Sequence, residues 1–295
     1  MRRPSPQRQQ GFGLLVFIII TSIVALSIVI GYSGVLTRTQ ANQLIANQQR
    51  YLNESRASVL AFYEQHAFDI DQNSMSNTVT IQDVLKGASV VPRFGMKAAL
   101  SNVLTTPEGL RYRAVALWLP SENDEINPPN VAAFTTTGQF NPCLNSASNC
   151  APLQFVVFDS ATIEREFAKK TVARLERIAM KAQSYFKART LQDPERNVSV
   201  NYYRAPSGTC EAMPMDLQCL DNYTPLATLY GSTLTSSRTA KNLGLADEEL
   251  VSAWGRPIEA SNLTDAVTND TPYTMVFRAA TPAGTFYTVR AVQQL

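Results

Sequence analysis

Four cysteines and one histidine are the residues of this 295-residue chain best suited to covalent or metal chemistry. Cys143, Cys150, Cys210 and Cys219 form two sequence-local pairs, with no Cys-x-x-Cys spacing and no histidine nearby. That pattern argues against zinc and for disulfides. Three pairings are open to four cysteines. Cys143 with Cys150 and Cys210 with Cys219 close the shortest loops, each worth about 2.5 kcal/mol by loop entropy, and free thiols in packing roles are the alternative. His66 stands at the end of a helical pattern, where a solvated or dipole-pairing role is the ordinary one, so no Ser-His-Asp constellation is expected. Ser184-Tyr185-Phe186-Lys187 matches a Ser-x-x-Lys motif in letters alone, because Tyr185 and Phe186 belong to an apolar helix stripe and the companion motifs are missing. Asp265, Asn269 and Asp270 offer hard oxygen ligands in a short stretch, but their spacing fits no standard calcium loop and reads as solvated turn residues. With no phosphate-cradling glycine loop and no His-Glu-x-x-His either, the chain is expected not to be an enzyme, and neither cofactor nor metal is expected.

Charge narrows the partners. The formal net charge is +2, with 26 basic and 24 acidic residues, far from the excess of a dedicated nucleic-acid binder. Arg2, Arg3 and Arg8 precede a long apolar stretch, so the remainder of the chain is close to neutral. Lys169, Lys170, Arg174, Arg177 and Lys181 cluster on one helix, but such a face is usually just solvated. A nucleic-acid partner is not expected.

The elements that position these residues begin with that apolar stretch. No charged residue falls between Arg8 and Arg38, and the interval holds Leu14 to Ile20, Ile23, Val24, Leu26 and Ile28 to Ile30. About 20 such residues at a rise of about 1.5 Å cross a hydrocarbon core. The preceding arginines place the N-terminus in the cytoplasm and the remainder across the membrane. A cleaved secretory signal would have a shorter apolar region ending in small residues. Instead the stretch runs on into a polar segment with helical spacing, at Ile45, Leu52, Val59, Phe62 and Tyr63. One long helix, half in lipid and half amphipathic, is implied.

The short basic leader Met1 to Gly11, the Gly11–Phe12 junction and the run Gly13-Leu14-Leu15-Val16 together resemble a type IV prepilin, the precursor class of type IV pilins and type II secretion pseudopilins. The resemblance implies cleavage after Gly11 by a prepilin peptidase, methylation of the new N-terminal Phe12, and assembly with other pilins or pseudopilins through the N-terminal helix. It also implies residence in the bacterial inner membrane with a periplasmic head, whose oxidising compartment suits disulfides. The family normally carries a glutamate five residues into the mature chain, and here that position is Val16. A carboxylate in lipid is costly unless paired, so the departure points to a minor pilin, acting in filament assembly or at the tip, rather than to the bulk subunit. The alternative is an anchored periplasmic scaffold or binding protein that never enters a filament.

Beyond the membrane span the sequence reads as α+β, with an antiparallel-sheet head of pilin-like kind built from two helix-plus-sheet modules. The expected divisions are a leader at 1–11, a transmembrane helix at 12–36, a first module at 37–159 and a second at 160–295. A second amphipathic helix starts near Ser160 and ends by Pro194, with Ile163, Phe167, Leu175, Ile178, Ala179, Ala182 and Phe186 on one stripe. Strands are expected at 110–119, 155–158, 198–203, 273–279 and 286–292, the last two forming a hairpin across Thr281-Pro282-Ala283-Gly284. Residues 121–152 read as an excursion loop. Trp254-Gly255-Arg256-Pro257-Ile258, after a helical-looking Ala246 to Ser252, is similar to the Trp-Gly-x-Pro turn of many pseudopilins and minor pilins, in which the tryptophan caps the core.

Overall fold

The structure is a computed structural model that describes residues 10–72, 79–119, 134–140, 154–204, 216–230, 233–263 and 271–293, with backbone alone at 10–14, 34, 36 and 37. The chain is α+β, with a long apolar N-terminal helix and antiparallel sheets. Two compact units divide it, Met1–Glu54 and Ser55–Leu295. Helix α1 runs over Gln10–Asp71.

Over residues 15–35 the described apolar side chains of α1, among them Phe17, Ile19, Ile23, Leu26 and Ile30, are exposed around the whole helix. The stretch is long and apolar enough to cross a membrane. The hydroxyls of Thr21 and Ser27 turn back on the helix. Thr21 donates to the Phe17 carbonyl at 2.9 Å and Ser27 to that of Ile23 at 2.8 Å, so neither presents an unpaired donor to a surrounding apolar phase.

The second unit begins within α1. At His66 the backbone leaves helical geometry (φ −123°, ψ 16°) with no proline or glycine at the break, and the chain resumes one turn that buries Ala67, Phe68, Ile70 and Asp71. Helix α2 (Ile81–Gly87) starts at a capping box in which Thr80 and Asp83 satisfy each other's backbone N–H groups. It ends against Phe62, so close that a Cβ on Gly87 would lie 2.2 Å from the ring.

Strands β1 (Lys97–Leu100), β4 (Ala114–Leu119) and β5 (Gln154–Asp159) form an antiparallel sheet in the order β1-β4-β5, and β2 (Leu104–Thr105) with β3 (Arg111–Tyr112) make a short ribbon beside it. Every residue of central β4 is buried, which explains its unbroken apolar run. On one face Tyr63 of α1 meets Phe158 edge-on. On the other, the turn closed by the Phe134–Phe140 bridge lays Phe140 5.3 Å from Trp118 and 5.6 Å from Phe155. Part of the expected excursion loop therefore returns to cover the sheet.

Helix α3 (Ala161–Gln192) occupies the expected place. Its stripe of Leu175, Ile178, Ala179, Ala182 and Phe186 packs into a core with Ile258, Met275 and Phe277. Those last residues border or belong to a second antiparallel sheet ordered β11-β10-β9-β6, from β6 (Thr224–Pro225), β9 (Glu259–Ser261), β10 (Thr274–Ala280) and β11 (Phe286–Val292). Strands β7 (Ala227–Tyr230) and β8 (Thr233–Ser236) form a ribbon that leads into the short helix α4 (Arg238–Asn242). The β10–β11 hairpin pairs Thr274 with Val292 through Ala280 with Phe286, and Gly284 takes the positive φ its turn requires. Both sheets belong to the one compact unit Ser55–Leu295.

One expected strand is absent. Residues 198–203 form successive turns, because side chains capture the backbone locally. Asp193 accepts from the N–H groups of Glu195 and Asn197, Asn197 from that of Ser199, and Asn201 from that of Tyr203. Asx turns of this kind compete directly with a strand ladder. The helical-looking 246–252 is likewise only a 3₁₀ turn at Asp247–Glu249.

Candidate functional site

Polar chemistry concentrates where the last turn of α1, the start of α3 and the turn around Trp254 meet, all within the second unit. Tyr63, Asp71, Ser160 and Glu164 are each fully buried there. The Tyr63 hydroxyl donates to Asp71 Oδ1. Ser160 precedes α3 but makes no capping bond to it. Its hydroxyl oxygen accepts the Arg113 N–H at 3.1 Å and lies 3.1 Å from both Asp71 Oδ2 and the Tyr63 oxygen. One seryl hydroxyl thereby ties the approach to β4, the end of α1 and the start of α3.

Glu164 sits one turn into α3. Its Oε2 accepts the Trp254 indole N–H at 2.9 Å, while its Oε1 is buried without a donor among the described residues. The Trp254 turn is held at several other points. The Ala253 N–H donates to Thr171 Oγ1 at 3.0 Å, Trp254 stacks on Tyr287 and meets Phe167 edge-on, and Gly255 supplies the positive φ. Arg256 forms an ion pair with Asp69 and lies 4.5 Å over the Phe68 ring, so the turn grips the end of α1 as well as α3. The expected core-capping role of the tryptophan is accompanied by a polar one.

Burial sets the protonation of the cluster. It raises Asp71 to about 7 against the opposing hydrogen bonds from Tyr63, Ser160 and Glu164 and the charge of Arg113. Burial, reinforced by the Asp71 charge, raises Glu164 to about 9 despite the indole bond. Tyr63 is pushed well above the ordinary tyrosine range by burial and then by Asp71. These shifts arise from desolvation and like charge. Protonation of Glu164 removes the like-charge repulsion between the two carboxyls. Closed to solvent, the cluster can hold a proton and fasten three elements together.

The residues singled out by sequence lie elsewhere. Gly11 and Phe12 are in the first turns of α1. Cys219 is disulfide-bonded, whereas Cys143, Cys150 and Cys210 fall outside the described residues, as do Asp265, Asn269 and Asp270. His66 is exposed at the α1 break, its ring against Phe62. The Ser184 hydroxyl donates to the Met180 carbonyl one turn back. Of the basic residues on α3, Lys170 pairs with Glu166, Arg174 donates to the Val251 carbonyl and Lys181 pairs with Glu249. Sequence reasoning missed the carboxyl cluster, although one signal was present. Glu164 lies on the apolar stripe of α3, between Ser160 and Phe167, where a solvated carboxylate has no place. Comparison with known proteins finds no matching family model, no matching curated protein and no matching solved structure.

Proposed function

We propose that the chain is a minor pilin-like structural subunit of a type IV pilus or type II secretion pseudopilus, processed after Gly11 and acting in filament assembly or at the tip. The observation that carries this reading is α1 itself: an apolar half exposed on all sides, with the Thr21 and Ser27 hydroxyls bonded back to the helix, continuing into a helix that ends within the second unit. Such a helix suits two successive surroundings, a bilayer before assembly and a bundle of like helices after it. The basic leader orients it with the N-terminus in the cytoplasm and the head in the periplasm. Prepilin peptidase and other pilins or pseudopilins are the partners this role requires. The work is interaction rather than catalysis.

Mass spectrometry of the protein purified from a host with active prepilin peptidase tests the reading. A mature chain starting at an N-methylated Phe12 is the expected result. An intact Met1 start would favour a permanently anchored periplasmic scaffold, for which Gly11 is replaceable.

A further inference from the structure

We propose that Asp71 and Glu164 form a one-proton latch that fastens the end of α1 to α3 and the Trp254 turn, and that departure of the proton in alkaline solution loosens this junction. The inference is independent of the filament role, since it rests on side chains of the second unit alone.

Geometry carries it. Glu164 Oε2 is committed to the Trp254 indole, and Oε1 is buried with no donor except a proton of its own. Asp71 already accepts from Tyr63 and lies within reach of the Ser160 hydroxyl. With the shared proton in place, Glu164 donates to Asp71 and both carboxyls are satisfied. When hydroxide removes that proton as water, two fully buried carboxylates face each other, and Oε1 loses its partner.

The groups around the pair offer little compensation. From α1 come Tyr63, already a donor to Asp71, and Asp69, engaged with Arg256. Arg113, on the approach to β4, favours ionised Asp71. From the Trp254 turn come the indole, already bonded to Oε2, and Arg256, held at Asp69. From β11 comes Tyr287, neutral and stacked on Trp254. The least costly relief for a second negative charge is to carry Glu164 and the indole toward water. That movement also releases the turn that holds Asp69 and Thr171.

The test uses the full chain in detergent micelles with Trp118→Phe, which leaves Trp254 as the reporter, the chain having 2 tryptophans. Acrylamide quenching of Trp254 is followed from about pH 5 to about pH 9.5, the range in which buried carboxyls with raised affinities titrate. The expected result is a protected indole at the acid end, with quenching that rises reversibly by about twofold or more toward the alkaline end as the indole meets water. Adding Glu164→Gln, whose amide donates to Asp71 permanently and whose carbonyl still accepts from the indole, should hold quenching low throughout. Asp71→Asn, which removes the opposing charge, should do the same. Quenching that stays flat in the parent, or rises equally in Glu164→Gln, overturns the latch. Infrared difference spectra of the parent need no carboxyl variant. Loss of a protonated-carboxyl band over the same range supports the proposal, and its absence overturns it.

Discussion

Trp254 and Glu164, 90 residues apart in sequence, are joined by a hydrogen bond of 2.9 Å from the indole nitrogen to a carboxyl oxygen that no water reaches. The contact fixes the turn before β9 against the first turns of α3. Among the described residues, it also gives the buried carboxyl its one hydrogen-bond partner outside the Asp71 cluster.

Trp254→Phe keeps much of the stacking on Tyr287 but strips that oxygen of its donor. Leaving a buried acceptor unsatisfied costs about 1–3 kcal/mol. Urea unfolding of the full chain in micelles, followed by circular dichroism, should show a loss of that size. An unchanged midpoint would mean that the indole bond contributes nothing.

Asp71 and Glu164 also set a direction for stability against pH. Their affinities in the folded chain are raised from 3.8 to about 7 and from 4.5 to about 9, so through this window the folded state binds more protons than the unfolded one. Stability is then fullest below the ordinary carboxyl range and falls as pH rises toward the folded values. Urea midpoints should be higher at about pH 5 than at about pH 9, with the difference reduced in Glu164→Gln. A rise toward alkaline pH would contradict the assignment.

Gly87 leaves no room for a side chain beneath Phe62, since a Cβ there would lie 2.2 Å from the ring. Gly87→Ala should therefore destabilise by about 1–3 kcal/mol through overpacking. Adding Phe62→Leu should recover part of the loss. A double-mutant cycle without coupling would show that the ring moves aside freely.

In the proposed pilin-like role, Val16 stands where a type IV prepilin normally carries a glutamate. Val16→Glu places a carboxylate in the apolar half of α1 at a cost of about 3 kcal/mol or more unless it is paired. A tip subunit with no preceding amine to meet should then be incorporated less, as counted by quantitative blotting of sheared filaments. Incorporation above wild type would sink the tip assignment.

The bridges can be read directly by peptide mapping without reduction. Cys219 is bonded, and the two short loops require the products Cys210–Cys219 and Cys143–Cys150. A Cys219 peptide linked to Cys143 or Cys150 would replace that connectivity with one spanning both sheets.

The sequence by itself determined what depends on neighbours in the chain. The long apolar run and the stripe continuing it specify α1, the 3.6-residue spacing from Ile163 to Phe186 specifies α3, and Thr281 to Gly284 between two alternating runs specifies the β10–β11 hairpin. Residues 198–203 show the limit of this reading even locally, because composition suggested a strand while Asp193, Asn197 and Asn201 captured the backbone into turns. Only the tertiary structure decided that Asp71 and Glu164 share one buried site, that Ser160 fastens Arg113 to Asp71, and that the Trp254 turn grips two helices at once. Periodicity states which face of a helix avoids water. Which faces meet is settled by packing between elements far apart in the chain, and a carboxyl acquires its buried character, and with it its proton, from groups its own neighbourhood in the sequence does not contain.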